Sequence, residues 1–224
     1  MMETLKTFRH EYKYVIPYQV MLKLKKELEE VLILDRGESY KVRSLYFDSP
    51  DDTDYYDKQG GELKRKKIRL RIYDVNDNYA KLEIKAKNDI HQLKESLLIS
   101  KDDAKKIING DYECLLEKNS DLANRLYVYL RNGYRPKVII EYDRLAFITS
   151  TTTRITFDYN IKKSNDFDNF YSKDINYFTL TNPCEIVLEV KFDRFLEPYI
   201  SKILSKYEAR FQSVSKYVMG RNDL

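Results

Sequence analysis

Charged and apolar residues alternate along several short segments of this chain, and a period of two is the signature of a strand with one charged face and one buried face. Arg9, Glu11 and Lys13 share a face in Arg9-His10-Glu11-Tyr12-Lys13. Arg69 and Arg71 stand opposite Ile68, Leu70 and Ile72, and Glu83, Lys85 and Lys87 stand opposite Leu82 and Ile84. Arg154, Thr156 and Asp158 align against Ile155 and Phe157, and Glu185, Glu189 and Lys191 against Ile186, Leu188, Val190 and Phe192. A single such strand usually turns its charges to water and pairs them across strands. Repetition in most strands of one chain suggests instead a sheet curled around a charged interior. Twenty tyrosines and ten phenylalanines, with only six glycines, favour the same strand-rich structure.

The remaining segments place helices between these strands. Val20, Met21, Leu24, Leu28, Val31 and Leu32 recur at helical spacing and predict an amphipathic helix over 18–34, after a first strand stopped by Pro17. Strands are expected over 40–48, 64–73, 79–87, 91–100, 136–149, 154–161 and 184–194. The segment 101–131 reads as helical with a break near Asn109-Gly110, and a last helix is expected over 198–207. Residues 162–182 read as an irregular excursion. About eight strands with interspersed helices, and no Gly/Ser/Pro linker, predict one α+β domain over residues 1–224.

Composition narrows the chemistry. The 40 Lys+Arg against 36 Asp+Glu leave a net charge of only +4, so local arrangement decides function rather than bulk charge. Two cysteines, Cys114 and Cys184, and two histidines, His10 and His91, do not make a Cys/His zinc site. No apolar run approaches the ~20 residues that span a bilayer, and the N-terminus lacks a signal-peptide core, so a soluble cytoplasmic protein with free thiols is expected. No stacking motif of an RNA-recognition sheet is present, which argues against a nucleic-acid partner. Nothing in the sequence specifies an oligomeric state.

Arginine forks match phosphate oxygens and lysines add point charges, so the cationic positions suit a polyanion. A carboxylate among them would repel phosphate unless it holds a divalent cation or orients a basic side chain. Glu189 and Glu11 are therefore candidate ligands for Mg²⁺ or Mn²⁺.

The segments FRHEYKYVIP, VRSLYFDSPD, KIRLRIYD, KLEIKAK, VIIEYDRLAF, RITFDYN, VLEVKF and SVSKYVMG, in that order, resemble the VTC domain, the catalytic domain of polyphosphate polymerases. That domain belongs to the triphosphate tunnel superfamily, which includes the CYTH phosphatases. The resemblance runs from about residue 8 to residue 220. It implies an antiparallel β-barrel tunnel lined by basic residues. It also implies transfer of the γ-phosphate of ATP onto a growing polyphosphate chain with Mn²⁺ or Mg²⁺. Carried over by motif, Arg69, Arg71, Lys85, Arg144 and Lys216 would be the catalytic cations. Arg9, Lys13, Lys87, Lys94, Tyr142, Arg154 and Lys191 would contact the phosphates, and Glu189 with Glu11 would hold the metal. The family turns Tyr142 and Arg144 to the tunnel, whereas an apolar-in reading makes Glu141 and Asp143 the polar face. The first strand has Arg9-x-Glu11-x-Lys13 where CYTH phosphatases have Glu-x-Glu-x-Lys, which leans toward holding a longer anion. A tunnel-type triphosphatase and a non-catalytic polyanion binder use the same residue types and remain the rival readings.

Overall fold

A computed structural model describes residues 9–89, 91–150, 152–207, 210–211 and 214–222. Eleven strands are present among them, and every ladder whose register is described is antiparallel. Eight strands are nine residues or longer: β1 (Arg9–Pro17), β3 (Tyr40–Asp48), β4 (Lys64–Ile72), β5 (Tyr79–Asn88), β6 (His91–Ser100), β7 (Arg135–Ile148), β8 (Arg154–Ser164) and β10 (Glu185–Asp193). These are the strands that alternation predicts. The two-residue strands β2 (Ile33–Leu34), β9 (Phe178–Thr179) and β11 (Arg210–Phe211) are too short to leave a periodic signal. The architecture is the expected α+β one, an antiparallel sheet flanked by helices.

The chain divides into two compact units, each assembled from three stretches of sequence. The first comprises residues 1–41, 142–161 and 179–215. Its strands run in the order β11-β1-β10-β8-β7, with β2 on β7 and β9 on β8. Helix α1 (Tyr18–Glu29) follows Pro17, whose extended backbone cannot continue a ladder through a missing N–H and instead opens the helix. Met21, Leu24 and Leu28 form its buried stripe. Together with α5 (Pro198–Leu204), α1 covers the apolar face carrying Ile16, Phe147, Phe157, Leu188 and Val190. The helix is five residues shorter than its periodicity suggests: Leu32 still reaches the core, but Ile33 and Leu34 pair with Ile148 and Phe147. β-branched Val31 and Ile33 suit an extended backbone better than a helix.

The second unit comprises residues 42–141, 162–178 and 216–224. Its strands run β7-β3-β4-β5-β6. The predicted helical segment after β6 is α3 (Lys101–Ile108), a 3₁₀ turn over Glu113–Lys118, and α4 (Asp121–Arg131). Ser100 caps α3 by accepting a 3.0 Å bond from the Asp103 N–H, with Asp102 and Asp103 in the first turn where the helix dipole favours them. Ile107, Leu126 and Leu130 pack on the apolar faces of β4 and β5, whose Ile68, Leu70 and Leu82 are wholly buried.

Asp48, at the end of β3, caps α2 (Thr53–Gln59) by accepting bonds from the N–H groups of Ser49, Asp54 and Tyr55 at 2.8–2.9 Å. It also accepts from the hydroxyl of Tyr217, which binds α6 (Lys216–Arg221) to the same place. Gly220 lets α6 approach β7: a Cβ there would collide with Ile140 Cδ1.

Candidate functional site: two charged sheet faces

In the first unit, helices cover the apolar face, so the opposite face of the same strands collects the alternating charges. Lys13 stands opposite Glu189 and Glu11 opposite Lys191 across β1 and β10, and Glu189 and Lys191 stand opposite Thr156 and Arg154 on β8. The Lys13 ammonium lies 2.5 Å from Glu11 and 3.4 Å from Glu189, and Lys191 donates to Glu189 at 2.8 Å. Arg144, from β7, makes a two-pronged pair with Asp158 at 2.6 and 2.8 Å and reaches 3.9 Å from Glu189. Its guanidinium lies over the Tyr142 ring, 5.2 Å from the centroid.

Glu189 thus has three cations around it. Burial alone drives a lysine toward its neutral form. On Lys13 the nearby Glu189 and Glu11 overcome that burial and raise the pKa, whereas on Lys191 burial prevails over the same two carboxylates and lowers it. On Arg144 burial is overcome chiefly by Asp158, and the guanidinium is held still more firmly charged. Arg154 shares the face but is tied elsewhere, donating to Asp35 at 2.6 Å and to Tyr40 at 3.0 Å. Arg9 opens β1 opposite Asp193; its side chain lies outside the described residues.

Glu11 and Glu189 share one ammonium group, so this pocket of carboxylate already stabilises positive charge. Among the described residues no group of three or more acidic, His or Cys side chains forms an all-protein metal cage. Mg²⁺ and Mn²⁺ commonly use one or two carboxylates and complete their shell with water and substrate phosphate oxygens. The pair fits that kind of site.

The second unit carries a more cationic face. Across β3, β4, β5 and β6 the rows are Tyr46–Arg69–Glu83–Ser96 and Lys67–Lys85–Lys94, with Ser44–Arg71–Lys81 beside them. Arg69 Nε donates to Glu83 at 2.7 Å, Lys94 lies 2.7 Å from the same carboxylate, and Arg71 lies 3.9 Å away. Arg71 Nε also donates to Ser44 at 3.2 Å. Burial opposes the charge on Glu83, but Arg69, Arg71 and Lys94 outweigh it and hold the carboxyl at about 2. Lys85 and Lys87, half-buried, continue this face along β5.

Lys216 joins the group through Tyr46. Burial would raise the Tyr46 pKa, yet Arg69, Arg71 and Lys216 pull it below the ordinary tyrosine value. Tyr217, next in sequence, stacks on Tyr46 with centroids 5.0 Å apart.

Strand β7 uses both faces. Arg144 lies on the side of Glu189, with its guanidinium over the Tyr142 ring. Glu141 is buried on the other side, accepting from Arg43 Nε at 2.6 Å and from Tyr177 at 2.8 Å, with Lys162 at 3.0 Å. Arg43 also donates to the Phe170 and Ser172 carbonyls and so fastens the 165–177 excursion. Asp143 pairs with Lys41 at 3.1 Å and accepts from Asn160 at 2.8 Å. The apolar-in rule fails here because Glu141, fully paired with Arg43, Lys162 and Tyr177, can be buried on the apolar side.

Sequence reasoning placed Glu83 and Asp158 on charged faces but gave them no part. Each proves to be the buried counter-charge of a candidate cation. The signal was available: each is a lone carboxylate on a strand whose neighbouring strand carries arginine on the same face.

These strands, faces and flanking helices are the fold of CYTH-like triphosphate tunnel proteins. An adenylyl-cyclase-like protein of Hippeastrum whose triphosphatase activity is dominant superposes with a TM-score of 0.56 at 13% identity, covering 94% of each chain. An adenylate-cyclase-like protein of Bacillus halodurans gives 0.53 at 14% identity, covering 90% of this chain and 88% of that one. Identities this low show the fold alone. No curated protein matches the chain. The VTC domain model matches residues 8–224, and the chain belongs to that family. No helix among the described residues is long and apolar enough to cross a membrane.

Proposed function

We propose that this chain is a polyphosphate polymerase that transfers the γ-phosphate of ATP onto a growing polyphosphate chain with Mn²⁺ or Mg²⁺. The observation that carries the reading is the gathering of Arg69, Arg71 and Lys94 on one sheet face of a VTC domain, where the first strand reads Arg-x-Glu-x-Lys. Phosphoryl transfer needs positioning and charge neutralisation more than covalent help, because the transition state spreads charge over the transferred oxygens. Arg69, Arg71, Lys85 and Lys216 supply that charge in the second unit. The first unit's face carries cations of the same kind, Lys13, Arg144 and Lys191, with Tyr142 beneath Arg144; Lys87 and Lys94 in the second unit, and Arg9 and Arg154 in the first, are further candidate phosphate contacts. The acceptor is a phosphate oxygen already ionised near neutral pH, so no strong general base is required, in keeping with a chain of two histidines. Glu189 and Glu11 would hold the divalent ion, which supplies further neutralisation of phosphate charge when bound.

A tunnel-type triphosphatase is the second reading, favoured by the dominant triphosphatase activity of the Hippeastrum protein. Purified protein incubated with ATP, Mn²⁺ and a pyrophosphate primer should yield long chains on a gel. Orthophosphate without chains would replace the polymerase with the triphosphatase. The enzyme readings predict that Glu189→Gln abolishes turnover while tripolyphosphate binding persists; binding without turnover in the parent protein would make it a polyanion-binding module.

A further inference from the structure

Glu83 is the acidic side chain at the centre of the most cationic face in the second unit. Its carboxylate has about 1% exposure, yet it faces the charged side of β5, since Leu82 and Ile84 on either side of it point into the core. Three cations from two neighbouring strands converge on it: Arg69 and Arg71 from β4 and Lys94 from β6. Around them lie like charges set directly opposite one another, Lys67 with Lys85, Lys85 with Lys94, and Arg71 with Lys81. Such pairs repel across a ladder.

We propose that Glu83 is a positioning residue of the phosphate site, a fixed internal anion that draws Arg69, Arg71 and Lys94 together and sets the plane of the Arg69 guanidinium. The inference rests on the reading of this face as phosphate-binding. The contact to Arg69 is made through Nε, which uses one of the five guanidinium donors and fixes the orientation of the fork. Lys94 adds a second contact and Arg71 a third, so one carboxylate sets the spacing of three charges.

A fixed anion among phosphate-binding cations has two opposite consequences. It holds the cations in register before substrate arrives, which favours turnover. It also repels the bound anion, which weakens ground-state binding.

Glu83→Gln and Glu83→Asp separate these effects. The glutamine keeps the shape and removes the charge. Tripolyphosphate, measured by calorimetry at low salt, should bind at least about fourfold tighter, the lower bound set by one charge ~5 Å away in bulk water. Turnover of ATP into chains or orthophosphate should fall at least about tenfold. The aspartate keeps the charge but is too short to span Arg69 and Lys94, so it should lose turnover without tightening. Unchanged binding and turnover in Glu83→Gln would overturn the proposal. So would weaker tripolyphosphate binding by Glu83→Gln, the mark of a counter-ion that only keeps the face folded. A parent protein that binds no tripolyphosphate would overturn the functional reading and this inference with it, whereas a parent that binds and turns over while the variants behave alike overturns the inference alone.

Discussion

Asp158 offers the sharpest test of how the first unit holds its charges. The carboxylate is fully buried and its two oxygens accept from Arg144 Nε and NH2 at 2.6 and 2.8 Å. Removing one partner of a buried pair typically costs about 3–5 kcal/mol, because the other charge stays behind. Asp158→Asn keeps one acceptor oxygen but presents an amide N–H group to a guanidinium N–H, and Arg144 retains Glu189 only at 3.9 Å. The expected loss is therefore about 3 kcal/mol, at the lower end of that range. For a domain of this size it would lower the melting temperature by roughly 6–12 °C. The double variant Asp158→Asn/Arg144→Met removes the stranded charge as well. Urea titration of the four proteins should give a coupling energy of at least ~1.5 kcal/mol, with the double variant more stable than the sum of the single losses. Additive losses within ~0.5 kcal/mol would refute the assignment of Asp158 as the counter-charge of Arg144.

Three further outcomes follow from the same geometry. The Glu83 carboxyl is held at about 2 against an ordinary 4.5, so its stabilisation is complete above about pH 4.5 and is lost as pH falls toward 2; Glu83→Gln should flatten that acid limb in urea titrations between pH 5 and 3. Gly220→Ala puts a Cβ against Ile140 Cδ1 and should cost about 1–3 kcal/mol by overpacking, and it should lower tripolyphosphate affinity because α6 carries Lys216; an unaltered calorimetric Kd would separate the helix from the site. Cys184 is exposed and Cys114 buried, so a thiol reagent should label the first in the folded protein and the second only in denaturant; equal labelling rates would contradict the packing of the 3₁₀ turn.

The strands were legible because alternation is a local property. Each charged face follows from the side-chain period of two, and each helix from its apolar stripe, so Leu82 and Ile84 announce a core face whatever surrounds them. The candidate cations were legible for the same reason, since Arg69 and Arg71 stand on one face in any strand that contains them. The end of α1 was not: Ile33 and Leu34 leave the helical pattern only because β7, more than a hundred residues later, offers Ile148 and Phe147 as partners.

What the tertiary structure decided is who holds whom. The sequence determined which side of each strand is charged, but not which side chains stand opposite one another. Register does that, setting Arg69 across from Glu83 and Lys13 across from Glu189, and bringing Asp158 within reach of Arg144. A carboxylate read alone is a candidate metal ligand, a surface charge or a counter-ion. Its role depends on distances of a few ångströms to side chains distant in sequence, because Coulomb interaction and hydrogen bonding fall off over that range. Glu83 and Asp158 thus became holders of arginine, while Glu11 and Glu189 came to share the ammonium of Lys13.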